Sequence, residues 1–192
     1  PPLELLFTTD EEVDMSGAAA HSGDFLTGRK FINIDWETEG SMALGSAGGV
    51  KDEISLPLTF APLAKDQLVF SLQISGLLGG HSGLEIHKNR ANANVLIAKA
   101  LAGNIPFRLI SFVGGTAANA ITPTAEMIFA LAPDQVEPFK ARLATMEQET
   151  RQQYPNEKEL VITLKPLDTR PELAASVSDS AKAVKLILDI PY

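Results

Sequence analysis

Leu68-Val69-Phe70-Ser71-Leu72-Gln73-Ile74-Ser75 has a period of two in its second half, which predicts a strand with one buried face. Ile54 to Phe60 alternates in the same way around Pro57 and predicts a neighbouring strand, joined to the first through a hairpin loop at 61–67. Val95, Leu96, Ala98 and Leu101 recur at helical spacing and predict a helix from Asn92 to Leu101. Strands are expected over Phe107–Val113, Ala125–Leu131 and Leu160–Leu164. Pro133–Gln153 reads as a charged amphipathic helix opened by Pro133 and Asp134, and Ser176–Leu188 as a last helix. From Lys51 the order is therefore β-β-α-β-β-α-β-α. Strand pairs joined by loops too short for a crossover imply antiparallel pairing, with helices over one face.

The first fifty residues carry a different pattern. Two apolar runs, Leu3–Phe7 and Phe31–Asp35, flank the small, Ala-rich stretch Met15–Leu26. Strand, helix, strand in this order predicts a parallel βαβ piece. Two strands do not make such a sheet alone, so the remaining strands are expected from residues outside this chain. Pro1-Pro2 running straight into a core-like segment supports the same expectation, a chain cut from something larger. Gly45-Ser46-Ala47-Gly48-Gly49 suits a crossover between domains. The expected fold class is α/β followed by α+β, with a partial domain at 1–50 and an antiparallel-sheet domain at 51–192, incomplete at its C-terminus.

Composition narrows the chemistry. Of 192 residues, 45% are hydrophobic and 21% charged, enough apolar matter for a packed core. The net charge of −8 argues against nucleic acid or an anionic membrane surface as a partner. No run approaches the about 18 apolar residues of a membrane-spanning helix, and no signal peptide is visible. There is no cysteine, which is compatible with the cytoplasm and leaves carboxylate and imidazole as the donors for any metal.

Such donors stand in Thr8-Thr9-Asp10-Glu11-Glu12-Val13-Asp14, directly after the first apolar run. Neighbouring residues at a strand end point in different directions, so one carboxylate can hold a metal while the other faces a water. Asp35 closes the second apolar run, and adjacent parallel strands end at one edge of a sheet. Further on come Gly79-Gly80-His81-Ser82-Gly83-Leu84-Glu85-Ile86-His87, Asn92-Ala93-Asn94 and Gly114-Gly115-Thr116-Ala117-Ala118-Asn119-Ala120-Ile121.

In this order and spacing the blocks resemble the M20 family of zinc-dependent amidohydrolases and exopeptidases, with the strongest likeness to its aminoacyl-histidine (Xaa-His) dipeptidase branch. The resemblance implies that residues 1–50 belong to a catalytic domain and 51–192 to the lid or dimerisation domain inserted in it. It implies two zinc ions in the full-length parent, a small dipeptide substrate such as β-alanyl-histidine, and a cytoplasmic homodimer. Residue by residue, Glu11 maps to the general base, Glu12 and Asp35 to zinc ligands, and His81 to the lid histidine that hydrogen-bonds the developing oxyanion. Glu37 and Glu39 compete for the role of Asp35. Asn119 matches an asparagine that binds substrate backbone, though its amide would equally cap the next element. Arg90 is placed to meet a substrate carboxylate or to stand exposed at a helix start. His21 matches no family position and reads as a surface histidine, and His87 lacks the spacing of a helical zinc pair.

Three positions depart from the family pattern: Asp14 where glycine is usual, Thr122 between Ile121 and Pro123, and Ala117-Ala118 before Asn119. Two rivals stand beside this reading. One is another M20 amidohydrolase: a tripeptidase, deacylase or aminoacylase. The other is a non-catalytic dimerisation or binding module, because the rest of the family's ligand set is not found here and the isolated chain is expected to be inactive.

Overall fold

The computed structural model describes residues 3–191 apart from 37, 46, 47, 49, 51 and 104. Pro1-Pro2, Glu37, and Ser46, Ala47 and Gly49 of the expected crossover lie outside the described residues. The chain divides into two units, Pro1–Glu53 and Ile54–Tyr192.

In the first unit the described residues form one short helix, α1 (Ser16–Ala19). Its start is built locally. The Asp10 carbonyl accepts from the amides of Val13, Asp14 and Met15, and Asp14 Oδ1 accepts from Ser16 N at 2.9 Å. The helix expected to run to Leu26 stops far earlier, because no described residue from 3 to 53 is buried. A helix this short has too few bonds to stand without a packed face. The strands expected at Leu3–Phe7 and Phe31–Asp35 are also not formed, since neither run finds a ladder partner among the described residues. The glutamate inside the first run, Glu4, instead accepts from the amides of Thr27 and Gly28.

The second unit is built on a four-stranded antiparallel sheet. In chain order its elements are β1 (Phe60–Pro62), β2 (Leu68–Ser75), β3 (Gly80–His81), α2 (Ala93–Leu101), β4 (Phe107–Gly114), β5 (Ala120–Ile121), β6 (Ala125–Leu131), α3 (Val136–Gln153), β7 (Val161–Pro166), β8 (Leu173–Ala175) and α4 (Val177–Asp189). The sheet order is β4-β6-β2-β7. Phe70, Leu72 and Ile74 of β2 and Met127, Phe129 and Leu131 of β6 point to one face. There they join Leu96 and Leu101 of α2, Phe139 and Leu143 of α3 and Val184 of α4 in the main core. The ring of Phe129 lies 5.3 Å from that of Phe139 and 6.1 Å from that of Phe107, both edge to face.

Helix ends follow the expected chemistry. The Asn92 side chain accepts from Asn94 N, and Ser176 from Asp179 N. The loop at 61–67 is not a hairpin. Pro57 removes a ladder donor from the run before it, and β1 pairs antiparallel with β8 instead of β2. Arg108 holds that pair down by donating to the carbonyls of Ala61, Pro62, Ala174 and Ala175. Strand β4 lies at an edge of the sheet and carries an irregularity between Leu109 and Ser111. The Leu109 amide donates to the buried Ser180 hydroxyl of α4 at 2.8 Å.

Candidate functional site

His81 is carried by a loop that leaves β2 at Gly76 and enters α2 at Asn92. Strand β3 pairs with β5, matching His81 to Ala120, and the Ser82 amide donates to the Asn119 carbonyl at 2.8 Å. His81 in β3 and Asn119, in the turn just before β5, are therefore brought side by side although they lie 38 positions apart. Both are exposed. The Asn119 side-chain amide has no partner among the described residues, so its donors and acceptor are open to a ligand rather than spent on a cap.

The neutral His81 ring is held in one tautomer. Its Nδ1 accepts from the amides of Gly83 at 3.0 Å and Leu84 at 3.1 Å. Two N–H groups aimed at Nδ1 leave no room for a proton there, so the neutral ring carries its proton on Nε2. Nε2 has no partner among the described residues. The ring thus offers one fixed N–H donor, the form an oxyanion-binding histidine needs.

Glu85 organises the loop from within. Its Oε2 accepts from His81 N at 3.0 Å, and its Oε1 from Lys88 Nζ at 2.9 Å and Arg90 Nη2 at 2.7 Å. The Lys88 hydrogen bond first, then the His81 amide and the Arg90 charge, hold its carboxyl down to about 2. Arg90 also donates from Nη1 to Glu85 Oε2 and to the Gly79 carbonyl. Its guanidinium is engaged in shaping the loop, and the sequence reading of Arg90 as a substrate-carboxylate partner has to share it with Glu85. Gly80, at φ 127°, explains part of the motif: a Cβ there would collide with the Arg90 guanidinium and the Glu85 carboxylate. Thr122, the departure from the family pattern, is buried. It accepts at its carbonyl from Ala93 N and at Oγ1 from Asn94 Nδ2, which ties β5 to the start of α2.

Within the first unit, Glu11 feels the charges of both Glu12 and Asp35. The Glu12 charge foremost, then desolvation, the Asp35 charge and a hydrogen bond with Glu12, raise the Glu11 carboxyl above its ordinary value. Asp35 N donates to Asn33 Oδ1 at 2.8 Å, fixing the turn that carries it. Among the described residues no three histidine, aspartate or glutamate side chains stand together as a complete metal site. His21 is half-buried rather than on the surface. Its ring lies 4.7 Å from that of Phe25.

Two residues that shape the His81 loop escaped the sequence reading. Glu85 sits inside the glycine-rich block, four residues after His81, but its role depends on backbone amides that no spacing rule reveals. Glu157, in the turn after α3, carries no sequence signal at all. Its carboxylate is buried and accepts from Leu78 N at 2.7 Å and Ala91 N at 3.0 Å.

No protein-family model matches the chain. The cytosol non-specific dipeptidase of Escherichia coli (strain K12) is 40% identical over 150 residues, covering 77% of this chain and 31% of that protein. The crystal structure of aminoacylhistidine dipeptidase from Vibrio alginolyticus matches 96% of this chain and 38% of that one, with a TM-score of 0.73 and 25% identity. The chain spans about a third of the length of these relatives. The identity to one and the shared fold of the other agree with the glycine-histidine and paired-glutamate motifs: the chain belongs to the M20 family.

Proposed function

We propose that this chain supplies part of the active site of a cytoplasmic, homodimeric zinc dipeptidase that cleaves Xaa-His dipeptides such as β-alanyl-histidine. The observation that carries the reading is the His81 ring, an exposed N–H donor whose tautomer two backbone amides set. Its Nε2–H binds the oxygen on which negative charge develops as the peptide carbonyl is attacked. Asn119 beside it hydrogen-bonds the substrate backbone. Glu11 takes the proton of the attacking water and delivers it to the leaving amine. Glu12 and Asp35 are carboxylate donors of the type zinc accepts, and they supply part of a shell whose remaining ligands lie outside this group. Zinc, when bound, lowers the pKa of a water toward neutrality.

A second reading, a dipeptidase of broad specificity, is favoured by the name of the Escherichia coli relative, a non-specific dipeptidase. The two separate on a dipeptide panel. Preference for β-alanyl-histidine in kcat/KM supports the first, and equal turnover of dipeptides without histidine supports the second. The mechanism is tested by Glu11→Gln in the full-length parent. Zinc is expected to stay near full stoichiometry while hydrolysis falls by several orders of magnitude. Loss of metal in Glu11→Gln, with metal kept in Glu12→Gln, would exchange the two roles.

A further inference from the structure

We propose that Glu157 is the positioning residue of the His81 loop, setting from outside the loop the place from which His81 donates. The inference rests on the reading of His81 given above. Glu157 lies in the turn between α3 and β7, far from His81 in sequence, and is 4% exposed. Its two oxygens accept from Leu78 N, just before the Gly79-Gly80-His81 turn, and from Ala91 N, where the loop ends. One side chain therefore closes both ends of the loop. Ala91 is fully buried, and no water is free to replace a lost acceptor there.

The same turn grips the loop twice more. Asn89 Nδ2 donates to the Gln153 carbonyl at 3.3 Å. Gly76, at φ 75°, lies against the Glu159 carbonyl so closely that a Cβ would collide with it. The turn itself is anchored, because Phe139, Met146 and Tyr154 before it are buried in the main core. The inner ties of the loop, Glu85 with Arg90 and the His81 amide, are made between loop residues, and the pairing of β3 with β5 seats its middle. Glu157 fixes the two ends of the span that carries that pair. A carboxylate is required, since both partners are donors and a glutamine presents an acceptor to only one of them.

The test uses the nitrogen-15-labelled chain, at a pH well above the ordinary imidazole value of about 6.5. Two readouts are followed: amide exchange at Leu78 and Ala91, and the amide resonance of Ser82, whose bond to the Asn119 carbonyl reports where His81 sits. Val184→Ala, a core truncation on α4, serves as a control of comparable destabilisation. In Glu157→Gln, exchange at Leu78 or Ala91 is expected to quicken about tenfold relative to Leu72 in β2. The Ser82 amide resonance is expected to shift as His81 moves against Asn119. Val184→Ala is expected to leave that resonance in place. Should Glu157→Gln not fold, Glu157→Asp keeps both acceptors on a shorter arm, and the same two shifts are expected in smaller measure. An unchanged Ser82 resonance in the foldable variant, or an equal change in Val184→Ala, overturns the proposal. In the parent enzyme Glu157→Gln is expected to lower kcat about tenfold with KM nearly unchanged. Full turnover in His81→Ala would remove the functional reading while leaving the loop result standing. Full turnover in Glu157→Gln with a shifted Ser82 amide would overturn the link between placement and turnover.

Discussion

Replacing Phe129 with alanine tests the core that holds the loop's anchor. Phe129 is fully buried in β6, opposite Phe70 in β2 and Leu109 in β4. Its ring meets those of Phe70, Phe107 and Phe139 at centroid separations of 6.3, 6.1 and 5.3 Å. Truncating a buried phenylalanine costs about 3–5 kcal/mol. Because three ring partners leave little room for collapse, a value of about 4 kcal/mol is expected. For a chain of this size that lowers Tm by roughly 8–16 °C. In urea, with a slope of about 2 kcal/mol per molar, the midpoint falls by about 2 M with the slope unchanged. Phe139 sits on α3, so the loss should also weaken the docking of that helix and quicken exchange at Leu78 and Ala91. A cost below about 1.5 kcal/mol would refute the reasoning, because it would mean that the four rings do not share one packed site.

Three further outcomes are expected. Glu85, depressed in the folded state, contributes stability that is full above its unfolded value of 4.5 and is lost as pH falls through about 2, so the Glu85 carboxyl carbon signal should still hold its ionised position at pH 4.5 in an NMR titration and move only as pH falls toward about 2. Glu11, raised in the folded state, has the opposite sign: its contribution is present below 4.5 and lost as pH rises through its folded value, and Glu12→Gln should move the Glu11 titration back down. Calorimetry of the isolated chain should show no submicromolar zinc site, since two carboxylates leave a tetrahedral shell half open, and a tight site would mean that other residues take part.

The second unit was legible where side chains alternate toward a shared core. Leu68–Ser75 and Ala125–Leu131 form strands over the expected residues, and Asn92 and Ser176 cap the expected helices. The short strands β3, β5 and β8 were not legible, because two or three residues carry no period. At 3–7 and 31–35 the apolar runs were legible but a ladder needs a neighbour, which the described residues do not provide. Of the site, motif residues such as His81 and Asn119 were legible as types, and their adjacency was not, since it comes from pairing of β3 with β5. Glu157 was invisible because its partners are backbone amides remote in sequence, which leave no mark on residue identity.

The bond from Leu109 to Ser180 bears on how the molecule avoids joining others of its kind. An outer strand is a template for another chain's strand, because its outward amides and carbonyls are unpaired. In β4 one outward amide is taken by a hydroxyl from α4, and the irregularity that follows breaks the even spacing an incoming strand would have to match. The first half of that border is thereby closed to fibril-like growth by the serine together with the β1–β8 pair that Arg108 holds against it. Removal of the serine hydroxyl would leave the buried Leu109 amide without an acceptor, making Ser180→Ala a variant whose cost of about 1–3 kcal/mol would show in thermal stability.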